Sequence, residues 1–436
     1  MKQTSFWSII TLLGLLISCE YNDIDNISQP TNSHHITLEQ ALTQLDIVLD
    51  VMNMETKAQG VTREYTSSDI STVTKDDVSL ITKSGSTKEN NLPDELLYIV
   101  NFKDEMGAAV LSADDRTGDV VMCVTDSGSI DVNDFYSASE MYSSLDFTTK
   151  GSNMESKEEL IYDLGELTVP SLLLSSVILS IENGEEAQHY EHSTKALAPE
   201  DKYGPFVPVK WGQEYVGLDT SNKVFNRYTP NNYPAGCVVI ATAQILMTNS
   251  NFDFSYNGYP CSRDTMLGVA HYTNPSYAGS SIAQEQVAHF VWGLGDNSLL
   301  CGVSYGSDGT SGSTNGAKRA LEAFMYKNVK KYSGFGSTNQ GRATAQLKAG
   351  RPVYIDGNPS WSFSGHAWVL DGVWGNYYHV NWGWIGCMDG YYSKGVFSTA
   401  NRSSYDVAYD AGTYQMYFNN KVYEYTWAFN LITYSL

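Results

Sequence analysis

Two segments constrain this chain more than any other: Pro234-Ala235-Gly236-Cys237-Val238-Val239-Ile240-Ala241-Thr242-Ala243-Gln244 and Gly365-His366-Ala367-Trp368-Val369-Leu370-Asp371-Gly372. The first places a cysteine at the first turn of an apolar helix, where the helix dipole favours a thiolate. The second places a histidine after a glycine, at the start of an apolar strand. A third segment, His379-Val380-Asn381-Trp382-Gly383-Trp384, follows on the next expected strand. The gap from Cys237 to His366 is 366 − 237 = 129 residues. A cysteine nucleophile with His and Asn about 130–150 residues downstream is one arrangement that thiol acyl-transfer chemistry uses. Alone, Cys237 reads more readily as a buried structural cysteine on an apolar helix.

The histidine supplies what the thiol lacks. A base must reach the nucleophile, and imidazole works near neutral pH. Four histidines compete in the second half: His271, His289, His366 and His379. His366 has the best setting, beside a glycine where a side chain can face a cleft, and ranks modestly above His379. Asn381 can orient the imidazole by accepting from one ring nitrogen, with Trp382 or Trp384 shielding that bond. Gln213 is a candidate oxyanion donor, paired with the Cys237 backbone N–H.

Charge divides the chain. Residues 1–200 hold 11 Lys+Arg against 34 Asp+Glu, while residues 201–436 hold 16 against 15. Eight of the nine tryptophans lie in the second part. Two such compositions indicate two folded units with a seam near residue 200. The acidic half argues against nucleic-acid binding. Lys2 and the apolar Phe6 to Ile17 read as an export signal too short to span a bilayer comfortably. No later stretch reads as a transmembrane helix. Leu16-Ile17-Ser18-Cys19 resembles a bacterial lipobox, in which Cys19 would be lipidated. The acidic residues that follow resemble the tethers of Bacteroidetes surface lipoproteins. The cysteines form no C-x-x-C pair and no cluster with zinc spacing, so neither a disulfide framework nor a metal site is expected.

Thr37 with Gln40 is a capping box that opens a helix. Residues 55–92 read as polar and irregular. Strands are expected at 96–102, 107–115 and 119–124, and a helix at Val169 to Ile181. His189 to Gly204 reads as an exposed seam where processing would fall. Beyond it come a helix from Cys237 to about Met247, a Gly/Ser-rich stretch at 302–316 and a helix at 317–326. Strands follow at 352–356, 367–372 and 377–382, with extended segments at 414–418 and 423–432.

Trp211-Gly212-Gln213, Gly236-Cys237 with Ala241-Thr242-Ala243-Gln244, the Gly365 and His379 segments, and Asp389-Gly390-Tyr391-Tyr392 together resemble the streptopain family of cysteine peptidases, family C10. Tyr98 to Phe102 and Ser112 to Arg116 resemble that family's inhibitory prodomain. The resemblance implies an α+β, papain-like fold, a helical part carrying Cys237 and an antiparallel sheet part carrying His366, preceded by a small α+β prodomain. It implies Cys237 as nucleophile, His366 as base and Gln213 as the glutamine ahead of the nucleophile. The group that orients His366 falls on Asn381 or Trp382. Ser311, Gly312 and Gly365 would line the substrate cleft.

The organisation implied is a lipoprotein signal peptide at 1–19, a tether at 20–35, a prodomain at 36–150, a processing region at 151–204 and a catalytic unit at 205–436. The chain would be an exported, surface-anchored endopeptidase zymogen needing no cofactor. Its partners would be protein substrates, its own prodomain as inhibitor, and a membrane through Cys19. A catalytically silent binding protein and another thiol-acyl enzyme, such as a transglutaminase, are the alternatives. Two departures from the family pattern, Ile385-Gly386-Cys387 and Val303-Ser304-Tyr305, bear on substrate preference.

Overall fold

The computed structural model describes residues 34–56, 60, 62–77, 92–135, 168–183, 197–217, 219–249, 253–274, 276–307, 309–359, 365–397, 407–410, 415–418, 421–422 and 427–436. The signal segment, Cys19 and the tether to residue 33 lie outside these residues, as do 136–167 and 184–196 of the expected prodomain and processing regions. His34 to Leu436 form one compact unit.

The frame is an eleven-stranded sheet. Its path begins with β1 (Ile70–Thr74), β2 (Glu95–Asn101), β3 (Ala108–Ser112) and β4 (Val121–Thr125). It continues through β12 (Gly390–Ser393), β11 (Tyr377–Asn381), β10 (His366–Trp374), β9 (Val353–Pro359), β16 (Trp427–Ser435) and β8 (Lys327–Ser333), and β5 (Lys202–Tyr203) pairs with the end of β10. β6 (Asp253–Tyr256) and β7 (Tyr259–Ser262) form a separate hairpin. β13 (Val407–Asp410), β14 (Gln415–Phe418) and β15 (Lys421–Val422) form a small third sheet. The pairings of the named strands are all antiparallel, some joined by short turns and others, such as β4 with β12, far apart in the chain.

The two halves meet inside the main sheet. β4 pairs with β12, Thr125 opposite Gly390 and Val124 opposite Tyr391. β2, β3, β10 and β11 are buried along nearly their whole length because both faces are covered. On one face lies helix Leu38–Thr56, packed through Ala41, Leu45, Leu49 and Met52 onto Tyr98, Val100 and Leu111. Its start is the expected capping box, with the Thr37 N–H donating to Gln40 Oε1 at 2.9 Å and the Gln40 N–H to Thr37 Oγ1 at 3.3 Å. On the other face, helix Thr168–Asn183 buries Leu172, Leu173, Val177 and Ile178 in a core shared with Trp368, Tyr392 and Phe397. Helix Cys237–Leu246, buried throughout, packs against β9 and β10 with helices Ser281–Asp296 and Thr314–Ala323 around it.

Three expectations change. β1 lies within the stretch read as irregular, because Ile70-Ser71-Thr72-Val73-Thr74 commits only Val73 to the core and lacks a strong alternation. Residues 197–204 of the expected exposed seam are fastened down. Leu197 is buried, the Trp374 Nε1–H donates to the Ala198 carbonyl at 2.9 Å, and β5 sits on the sheet. Residues 189–196 lie outside the described residues. The helix expected at 317–326 starts earlier, at Thr314, because Ser313 caps it by accepting the Gly316 N–H. Among the described residues, no helix is long and apolar enough to cross a membrane.

Candidate active site

Gly236 sets the entry to the Cys237 helix. It is the residue before the first helical turn and adopts φ 94°, a conformation glycine takes readily. A Cβ there would sit 2.8 Å from Thr310 Cγ2, and the Thr310 hydroxyl donates to the Pro234 carbonyl. The Gly/Ser-rich stretch is thereby locked onto the chain just ahead of the cysteine. Ser311 exchanges two backbone hydrogen bonds with Ser304, each 2.9 Å. Gly312 lies so close to Val238 that a Cβ would meet its Cβ at 2.9 Å. Gln213 accepts the Ala235 N–H at 2.9 Å, which places it beside the same entry. Cys237 is the first residue of the helix and is buried.

His366 opens β10 and is buried. Gly365 before it leaves no room for a side chain, since a Cβ would lie 2.5 Å from the Gly357 carbonyl oxygen. The imidazole is stacked on Trp384, with centroids 4.5 Å apart, and flanked by Trp368 and Trp382. Its Nε2 lies 2.7 Å from the carbonyl oxygen of Trp382. A carbonyl can only accept, so Nε2 carries the proton and Nδ1 is the basic nitrogen of the neutral ring.

Of Asn381 and Trp382, it is the Trp382 main chain that lies on this ring nitrogen. Asn381 does different work. Its Oδ1 accepts from Gln244 Nε2 at 2.8 Å and from the Gly383 N–H at 3.2 Å, and its Nδ2 donates to the Val209 carbonyl at 3.0 Å. Gln244, seven residues along the helix from Cys237, also reaches the Trp211 carbonyl at 3.3 Å. The amide pair therefore bolts the cysteine's helix to the strand whose end orients the histidine. Gln244 was legible in principle as a polar residue on a helix otherwise almost entirely apolar. Asn381→Ala is expected to cost about 1–3 kcal/mol of stability by stranding buried partners. The orienting bond on the main chain stays in place. Thermal unfolding beside steady-state kinetics checks this: a large fall in Tm with kcat within about tenfold of wild type is the expected result.

His379, the rival histidine, belongs elsewhere. Its Nδ1 lies 2.6 Å from Asp371 Oδ1 and its Nε2 3.2 Å from Asp126 Oδ2. Both ring nitrogens face carboxylates, which makes the ring an imidazolium. Burial opposes that charge, yet the carboxylates of Asp371 and Asp126 outweigh it and raise the pKa to about 10. Lys210 Nζ lies 3.1 Å from Asp126 and 3.7 Å from Asp389. Burial of Asp389 lifts its carboxyl to about 7 despite Lys210. Burial likewise opposes the charge of Asp126, but Lys210 and His379 prevail and hold it well below the usual carboxylate range. Charged residues set in apolar runs, such as Lys210 between Val209 and Trp211, were the sequence signal for this cluster.

The sign of the pH effect follows. A histidine whose folded pKa is raised contributes stability that is complete below its unfolded pKa of about 6.5 and lost as pH rises through its folded value. The alkaline limb of stability, approaching pH of about 10, is therefore expected to steepen because of His379. Melting curves across that range in a Cys237→Ala background check it, with His379→Gln giving a lower but flatter profile.

Among the described residues, Cys123, Cys237, Cys261 and Cys301 are buried and in no disulfide, whereas Cys387 is exposed. No group of acidic, histidine or cysteine side chains among the described residues could hold a metal ion.

Residues 219–392 match the Peptidase C10 family. Streptopain from Streptococcus pyogenes serotype M1 is 26% identical over 325 residues, spanning 68% of this chain and 73% of the relative. A Prevotella intermedia prointerpain A fragment superposes with TM-score 0.46 at 16% identity, over 78% of this chain and 95% of that one. The active Prevotella intermedia interpain A cysteine protease superposes with TM-score 0.35 at 18% identity, over 53% of this chain and 96% of that one. Residues 219–392, the segment that resembles the Peptidase C10 family, hold Cys237, Ser311, Gly312, His366, Asn381 and Trp382.

Proposed function

We propose that the chain is the exported, lipid-anchored zymogen of a cysteine endopeptidase, with Cys237 as nucleophile and His366 as base. The observations that carry this reading are a cysteine opening a helix that packs on β10, the strand that His366 begins, and a buried His366 whose Nε2–H is spent on the Trp382 carbonyl. Nδ1 is then the nitrogen able to take the thiol proton. The thiolate attacks a peptide carbonyl, the imidazolium protonates the leaving amine, and the acyl-enzyme is hydrolysed by water that His366 deprotonates. The Cys237 backbone N–H and the Gln213 side chain stabilise the oxyanion. Ser311, Gly312 and Gly365 line the cleft, and a Cβ at Gly312 or Gly365 would meet a neighbour at 2.9 or 2.5 Å.

Residues 36–150 act as the prodomain. Their sheet continues the catalytic sheet at β4–β12, and the Asp126 N–H donates to the Asp389 carbonyl at 2.7 Å. Asp389 closes the turn that carries Trp384, in which Ile385 and Met388 both adopt positive φ, at 59° and 60°. A β-branched residue there is strained. The N-terminal unit holds this turn, and with it the ring stacked on His366. Cleavage between 151 and 204, followed by departure of the N-terminal unit, relieves the constraint. Because Cys19 precedes the prodomain, the cut removes the covalent link between the anchor and the catalytic unit.

Wild type and Cys237→Ala purified side by side test the reading. Self-processing and casein hydrolysis in the first and neither in the second support it. Amine incorporation without hydrolysis would replace it with transglutamination. Fractionation tests the anchor: Cys19→Ser is expected to move the full-length chain from membranes to the soluble fraction.

A further inference from the structure

Three donors from the catalytic unit converge on a single oxygen of the N-terminal unit. Asp126 Oδ2 receives Lys210 Nζ at 3.1 Å, the Tyr272 hydroxyl at 3.0 Å and His379 Nε2 at 3.2 Å. Its other oxygen lies 3.9 Å from Arg63 of its own unit. The three donors are built in. Lys210 is 4% exposed and lies over the Tyr272 ring at 4.4 Å, His379 is fully buried and held from behind by Asp371, and the Tyr391 ring packs edge-on to it. Asp389 Oδ2 is buried, makes no hydrogen bond and lies 3.7 Å from Lys210. Asp126 follows β4 immediately, so strand pairing with β12 delivers its carboxylate to this place.

We propose that Lys210, Tyr272 and His379 form a carboxylate-binding socket on the catalytic unit. Asp126 fills it in this chain. Once the N-terminal unit has left, it takes the acidic side chain of another extended segment laid along β12. The second half rests on the zymogen reading; the first half does not. The occupant is a strand with an acidic residue one position past its last pairing residue, because that is the geometry that fills the socket here. The groups facing the incoming carboxylate are Lys210, His379 and Tyr272, with Asp371 and Asp389 behind them as counter-charges. Loss of Asp126 leaves two cations facing an open position, and buried cations without an anion are costly.

The test needs no catalysis. In full-length Cys237→Ala protein, Asp126→Ala is expected to lower Tm, and about 0.1 M formate is expected to restore at least half of the loss where chloride at equal ionic strength does not. Adding Lys210→Met should abolish the formate effect. Equal responses to formate and chloride, or a formate effect that survives Lys210→Met, would overturn the socket. If Asp126→Ala does not fold unaided, refolding yield becomes the readout: recovery in formate only supports the socket, and failure in both salts overturns it. The strand requirement is read separately on processed wild-type enzyme, using a peptide with the sequence of residues 120–126. It should bind about tenfold more tightly than its Asp126→Asn counterpart. Equal binding of the two peptides overturns the strand occupant while leaving the formate result to judge the socket.

Discussion

Cys237→Ala is expected to reduce peptide hydrolysis by about six orders of magnitude, to the level set by binding and the oxyanion site alone. The fold should survive. The change removes one sulfur from a helix whose register is fixed by Gly236, Val238 and the Gln244–Asn381 bond, so the Tm should hardly move. His366→Ala should cost nearly as much activity, and the double variant little more than either single one, because nucleophile and base act as a unit. Active-site titration with a thiol-directed epoxide, beside casein turnover, reads both. Full turnover by Cys237→Ala would remove the assignment.

The second large effect is expected at Gly236. Gly236→Ala puts a Cβ 2.8 Å from Thr310 Cγ2 at φ 94°, so it clashes with its neighbour and strains the backbone together. Holding a non-glycine residue in such a conformation costs about 1–3 kcal/mol. The chain can escape only by moving Thr310, which is tied to Pro234, or by rotating the first turn that carries Cys237. Either displaces the thiol, and misplacement of about 1 Å is enough for a loss of about 100-fold in kcat. Gly341→Ala is the control: it lies in helix Ser337–Lys348 and a Cβ there meets nothing within 4 Å. Parallel loss of activity in both variants would refute the local argument.

The catalytic candidates were legible because their chemistry resides in side chains with local signatures. Cys237 follows a glycine and opens an apolar helix; His366 follows a glycine and opens an apolar strand. The strands expected near residues 96, 108 and 121 were legible for the same reason, since their periodicity is local. What could not be read was held by the main chain or by distant pairing. The Trp382 carbonyl that orients His366 belongs to a backbone common to every residue type, so the amide of Asn381 drew attention instead. The junction of β4 with β12 joins residues 265 apart, Thr125 and Gly390, and neither strand encodes its neighbour. His379 looked like a competing base because its two carboxylate partners come from residues 371 and 126.

Helix Thr168–Asn183 carries a consequence for timing. It lies inside the expected processing region, 151–204, yet is wedged between the turn at Asp115–Thr117 and the segment Lys394–Phe397, with Arg116 Nη1 donating to the Ile181 carbonyl at 3.3 Å. Each of its fully buried Leu, Val and Ile side chains contributes about 1.5–3 kcal/mol to staying there. Severing the chain downstream does not release that grease into water. On the proposed zymogen reading, a chain cut downstream of the helix would therefore persist as a two-piece complex. Liberation would be set by how slowly the pieces part, or by whatever digests the N-terminal one, and the scissile bond alone would keep no clock.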